Sequence, residues 1–223
     1  ATRVLESRRE RFIASTLISI GVPCAALQAM IVAVLGKHGL LPVAAVYGIL
    51  AAAVLTLGLV LNRLMSGFSP ELLLEIPPYR IPPLSLLVKK TWWRVGQFLK
   101  EALPVVVGGV LAVNLLYMLD VFSILARLSA PVMRGLLGLP EEAVVAVVVG
   151  VLRKDVAMGM LALLPLTVKQ LVVASVVLAM TFPCVATFVV LWHELGWRDM
   201  LKSAGIMLVA ALCTGGLVNH LWP

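Results

Sequence analysis

A chain of 223 residues that is 61% hydrophobic and only 13% charged carries about half the charge of a soluble domain. A mean hydropathy of +1.07 marks a polytopic membrane protein and excludes a soluble domain with an enlarged core. The net charge of +7 then belongs to cytosolic flanks and lipid contact rather than to nucleic-acid binding, for which no module is present.

Residues 1–12 are basic and helix-friendly, with Arg3, Arg8, Arg9 and Arg11 against Glu6 and Glu10. They read as a cytosolic helix entering the membrane. The sequence starts Ala-Thr-Arg without Met and shows no signal peptide, as expected of an excerpt of a longer chain or of a processed one. Apolar runs over 12–35 and 41–61 predict two spans, the first interrupted by Pro23-Cys24. His38, in the turn between them, reads as a solvated histidine because no second ligand stands at metal spacing. Pro77, Pro78, Pro82 and Pro83 then forbid a helix and make a rigid, extended linker. Over 84–99, Leu84, Leu87, Val88, Thr91, Val95, Phe98 and Leu99 recur at helical spacing beside Lys89, Lys90, Arg94, Trp92 and Trp93. That pattern predicts an amphipathic helix at the cytosolic headgroup level.

A third span is expected over 102–119, and a re-entrant or interfacial helix outside over 120–139. The fourth span, 143–166, carries Arg153-Lys154-Asp155. The fifth, 171–192, contains Pro183-Cys184; a polar loop over 193–199 leads to the last, 201–221. The expected fold is all-α, with about six transmembrane helices plus the interfacial helix. Placing 1–12 and 62–101 in the cytosol puts most Lys and Arg inside, and with six spans both termini are cytosolic.

Charges near the middle of a span cost roughly 2.5–3.5 kcal/mol each on insertion scales and usually mark ions, protons or substrates. Asp155 is expected to pair with Arg153 or Lys154 on a neighbouring helix or to look into a cavity. The competing reading is a break between two short hairpin helices with the charges at a membrane surface, since neither half of 143–166 spans alone.

Pro23-Cys24 and Pro183-Cys184 repeat one local pattern near mid-span. A helix proline frees a carbonyl one turn earlier, those of Ser19 and Ala179 here. Broken helices at matching places in two halves point to a transporter's site. The thiol beside each break is a soft ligand suited to a first-row metal, and Ser19 and Thr187 offer oxygen nearby. The bland alternative is a pair of proline kinks with cysteine as a small buried residue. All three cysteines, Cys24, Cys184 and Cys213, lie in apolar runs, which argues against a disulfide framework.

Taken in order, these motifs resemble the membrane gate region of the bacterial ferrous iron transport protein B family, in its C-terminal part. The resemblance rests on Arg8-Arg9 before Pro23-Cys24, the linker Glu75-Ile-Pro-Pro-Tyr79-Arg80-Ile-Pro, Leu152-Arg153-Lys154-Asp155, Pro183-Cys184-Val-Ala-Thr187 and Glu194-Leu-Gly-Trp197. It implies the end of a first gate region over 1–62, a linker and amphipathic helix over 63–101, and a second gate region over 102–223. It implies a permease for Fe(II) in a bacterial or archaeal cytoplasmic (inner) membrane, not an enzyme in itself. Cys184, Cys24 and Asp155 would be candidate metal ligands, with Arg153, Lys154, Thr187 and Ser19 along the path or as counter-charge. Glu75, Tyr79 and Arg80 would couple the linker to the gate. Implied partners are membrane lipid, a GTP-binding domain or subunit, small accessory transport proteins and a homo-oligomer, with no nucleic acid. The chain departs from the family where Ala25, Ala26 and Leu27 follow the first Pro-Cys and where Asp155 replaces the usual glutamate. No Gly-x-x-x-x-Gly-Lys-Ser/Thr loop is present, so no nucleotide is expected on this chain.

Two other functions fit the residues: a gate-fold transporter of a nucleoside or other small polar solute, and a non-transporting regulatory membrane subunit. A membrane enzyme fits least, for lack of a Ser/His/Asp set or a His-Glu-x-x-His motif.

Overall fold

The computed structural model describes residues 7–65, 83–118, 121–150, 153–181 and 185–221, and all regular structure among them is helical. Helix α1 (Arg8–Gly21) starts where the Ser7 side chain accepts a hydrogen bond from the Glu10 amide, and stops before Pro23. Helix α2 (Ala25–Leu35) follows directly. A single tight turn over Gly36–His38 and Gly39, at φ 108°, reverse the chain into α3 (Leu40–Leu64). Helix α4 runs over Leu84–Met118 and α5 over Val121–Leu137. Then come α6 (Glu141–Gly150), α7 (Lys154–Leu161), α8 (Val168–Met180), α9 (Val185–Leu195) and α10 (Trp197–Leu221). Among the described residues, three helical stretches are long and apolar enough to cross a bilayer: Arg8–His38, Leu40–Leu64 and Trp197–Leu221.

The core is built around α8. Every residue from Leu171 to Met180 is buried, as α1, α2, α3, α6, α7 and α10 all touch this one helix. A helix apolar on all sides belongs in the middle of a bundle. Its start is fixed by a capping box, in which Thr167 accepts from the Gln170 amide and Gln170 accepts from the Thr167 amide.

Two expectations from the sequence need correction. The first concerns 143–166, which is not one span. Helix α6 has ten residues and α7 eight, and Arg153, the N-cap of α7, has an extended backbone (φ −138°, ψ 90°). They pack against each other as a hairpin. Both ends of the hairpin lie at one end of the bundle: Gly138, just before α6, accepts from Gln170 Nε2 at the start of α8 (3.1 Å), only nine residues past the end of α7. Periodicity could not reveal this, because α6 and α7 are apolar at the same spacing as a continuous span. Gly150 has no side chain and lets the chain fold back against Ala157 and Leu178.

The second concerns the side on which each end lies. Arg8, at the start of α1, pairs with Asp199, at the start of α10 (2.8 Å), and Thr16 shares a buried hydrogen bond with Ser203 (2.8 Å). Arg9 donates to Asn62, near the end of α3 (2.7 Å). Helices α1 and α10 are therefore parallel and α3 is antiparallel to both. Helix α10 finishes at the opposite end, where Asn219 donates to the Leu136 carbonyl (3.2 Å). The start of α1 and the end of α10 thus lie at opposite ends of the bundle. The loop around Gly196 shares a bundle end with Arg8 and Asn62 rather than with Gly138.

The predicted boundary near residue 100 is also invisible in the backbone. The amphipathic stretch and the expected third span form one helix, α4, with Pro104 inside it. The linker carrying Glu75, Tyr79 and Arg80 lies outside the described residues.

Candidate functional site

Three helix interruptions lie in the middle of the bundle. The first divides α1 from α2. Val22 closes α1 by donating to the Ile18 carbonyl (3.1 Å), and the Gln28 side chain donates to the Pro23 carbonyl (3.0 Å). Cys24 takes the N-cap position of α2, with an exposed thiol and no side-chain capping bond. Ser19 is half-buried one turn earlier.

The second interruption follows α8. Thr181 leaves the helix with an extended backbone (φ −64°, ψ 171°), its amide on the Val177 carbonyl (2.8 Å) and its hydroxyl donating to the same oxygen. Phe182, Pro183 and Cys184 lie outside the described residues; α9 resumes at Val185 and carries half-buried Thr187. Helix α2 packs beside α8 and α1 beside α9, so the two broken helices run past each other.

The third interruption is the tip of the α6–α7 hairpin. Ten residues of α6 reach about 15 Å into the bundle and thirteen residues of α8 about 20 Å from the same end. The tip therefore arrives level with the end of α8. Lys154 is only 8% exposed there, and its ammonium donates to the carbonyls of Ala179 (3.0 Å) and Thr181 (3.1 Å). The Ala179 carbonyl is the one that Pro183 was expected to free. Asp155 turns the other way and pairs with Arg153 (2.9 Å) at the first turn of α7. This agrees with the expected Asp155–Arg153 pair, but it forms within the hairpin rather than across helices.

Helix α7 lies on α2 and α8. Gly159 faces the Met30 methyl, and the buried Met158 sulfur accepts from Ser175 Oγ (3.6 Å). Met158 is thus occupied in the core. Among the described residues no three His, Cys, Asp or Glu side chains converge to hold a metal ion. The approach of Asp155 to Cys184 falls outside the described residues. Sequence reasoning missed the Lys154–carbonyl contact, whose signal was a lysine followed, at about one helix length, by an upstream neighbour of a Pro-Cys break.

This arrangement offers backbone oxygens, a buried ammonium and a half-exposed carboxylate at one level of the bundle, a combination suited to handling a charged solute. A family model for nucleoside recognition, named Gate, matches residues 99–198, and one for the ferrous iron transport protein B C terminus matches residues 43–94. The Fe(2+) transporter FeoB of Methanocaldococcus jannaschii is 29% identical over 249 aligned positions, covering 95% of this chain and 37% of that protein. The chain thus spans little more than a third of this curated relative's length. No solved structure matches. Two adjoining family matches and a relative aligned over nearly the whole chain agree in likening this chain to the C-terminal membrane region of the ferrous iron transport protein B family.

Proposed function

We propose that this chain is the membrane-embedded permease part of a ferrous iron transporter, moving Fe(II) into the cytoplasm under the control of a GTP-binding domain elsewhere in the polypeptide or on a separate subunit. The observation that carries the reading is the charged hairpin tip seated against the end of a broken helix. The relative's printed name supplies the cargo. Cys24 and Cys184 are the proposed soft ligands and Asp155 the hard one, with Ser19 and Thr187 along the path and Glu75, Tyr79 and Arg80 in coupling. The test is Fe(II) uptake into vesicles reconstituted with the chain and the nucleotide-binding partner. Cys184→Ser should lower uptake by about tenfold, because a hydroxyl is a much weaker ligand for a first-row metal. Cys24→Ser should do less, since Ala25, Ala26 and Leu27 leave its surroundings without polar support. Wild-type uptake in both variants would remove the thiols from the path.

The matched nucleoside-recognition model favours a second reading, a carrier of nucleosides or similar polar solutes. Uptake of labelled nucleoside without Fe(II) uptake, in the same vesicles, would replace the first reading by the second.

The proposed membrane arrangement is an inner-membrane bundle with the Arg8, Arg63 and Lys202 end in the cytosol, the α6–α7 hairpin entering from outside and returning, and α10 ending outside. Single cysteines at Arg63 and Gly196 should both react with an impermeant thiol reagent from the cytosolic side, and one at Pro223 from the outside. Opposite-side labelling of Arg63 and Gly196 would restore the six-span topology.

A further inference from the structure

We propose that the carbonyls of Ala179 and Thr181 form a cation site, that the Lys154 ammonium is its tethered occupant, and that a free divalent cation takes the site by displacing it. The inference deepens the transport reading and rests on it only for the identity of the cargo.

The last carbonyls of a helix have no partner within the helix and carry the negative end of its dipole. At α8 two such oxygens point at one atom, the Lys154 nitrogen, at 3.0 and 3.1 Å. These are N–H···O hydrogen-bond lengths, and a divalent ion in place of the ammonium would draw the two oxygens in to about 2.0–2.6 Å. Neutral oxygen ligands suit hard divalent ions and tolerate borderline Fe(II). The ammonium is covalently fixed to the first residue of α7, so its presence in the site also pins the hairpin tip to α8. A second positive charge within about 3–4 Å of the ammonium is repelled strongly in a poorly hydrated interior. Ammonium and metal therefore exclude each other. Occupancy by the tethered cation means a latched tip; occupancy by a mobile one means a released tip.

Two measurements on the purified protein test this without a transport assay. Mn2+ serves as the probe, because its binding is read directly by electron paramagnetic resonance. Lys154→Met keeps the length of the side chain and removes its charge. It should bind one Mn2+ per chain at least about tenfold more tightly than wild type, whereas Lys154→Arg should gain nothing. In the wild-type protein, acylation of Lys154 by an amine reagent, followed by mass spectrometry, should rise severalfold at saturating Mn2+. That second measurement stands even if Lys154→Met fails to fold. Equal Mn2+ affinity in wild type and a folded Lys154→Met, or wild-type Lys154 reactivity unchanged by Mn2+, overturns the inference. Either result can occur while reconstituted wild type still carries Fe(II), so loss of this inference and loss of the transport reading are separable.

Discussion

Gly150→Leu should destabilise the purified protein and, on the transport reading proposed above, abolish Fe(II) uptake. A Cβ at this position would run into the Leu178 side chain and stand 2.8 Å from the Ala157 Cβ. Leu178 is 1% exposed and Ala157 fully buried, so neither has open space to move into. Overpacking of this kind costs about 1–3 kcal/mol, and relief requires α6 to swing away from α7 and α8. That movement carries the hairpin tip off the end of α8. Gly150→Ala should show a smaller loss in the same direction. Gly159→Ala is the control: its Cβ would meet only the Met30 methyl at 3.6 Å, an ordinary contact, and its melting temperature should stay within a degree or two of wild type. Thermal unfolding in detergent and vesicle uptake check the series. If Gly150→Leu melts like Gly159→Ala, the close return of the hairpin is wrong.

Asp155→Asn should lower Fe(II) uptake about tenfold, equivalent to about 1.4 kcal/mol, while Asp155→Glu should stay within a few-fold of wild type. The carboxylate does two things at the tip. It neutralises Arg153 at 2.9 Å, and it sits in the first turn of α7, where the helix dipole favours a negative charge. The amide loses both effects and leaves the guanidinium uncompensated beside the path of a doubly charged ion. Glutamate keeps the charge and adds one methylene, a change the half-exposed position accommodates. Initial rates of uptake at fixed Fe(II) separate the variants. Equal rates for all three would reduce Asp155 to a surface partner of Arg153.

The sequence disclosed the all-helical class, the turn between the paired stretches 12–35 and 41–61, and the break at Pro23-Cys24, because apolar run length and proline stereochemistry are local properties; the helices extend beyond the apolar runs, to Arg8 and to Leu64. It disclosed the special character of Arg153-Lys154-Asp155 from the cost of charge in an apolar run. It did not disclose how that cost is met. A single span and a hairpin share one hydropathy profile, and only the packing of Gly150 against Ala157 and Leu178 distinguishes them. Charge counting placed Gly196 opposite Arg8 because it assigned residues 143–166 one crossing. The Arg8–Asp199 pair puts the start of α10 beside the start of α1 instead. Nor did the sequence disclose that the lysine would be the buried member of the cluster, on main-chain oxygen, and the carboxylate the more exposed.

That main-chain oxygen has an evolutionary consequence. The acceptors at Ala179 and Thr181 exist whatever side chains stand at those positions, so this contact has no partner column with which position 154 can covary. Paired-substitution statistics across homologues would pass over it. A change at 154 could not be compensated by an exchange at 179 or 181. Selection on the latch would act on a single codon, and its relaxation would surface as independent drift at that codon alone.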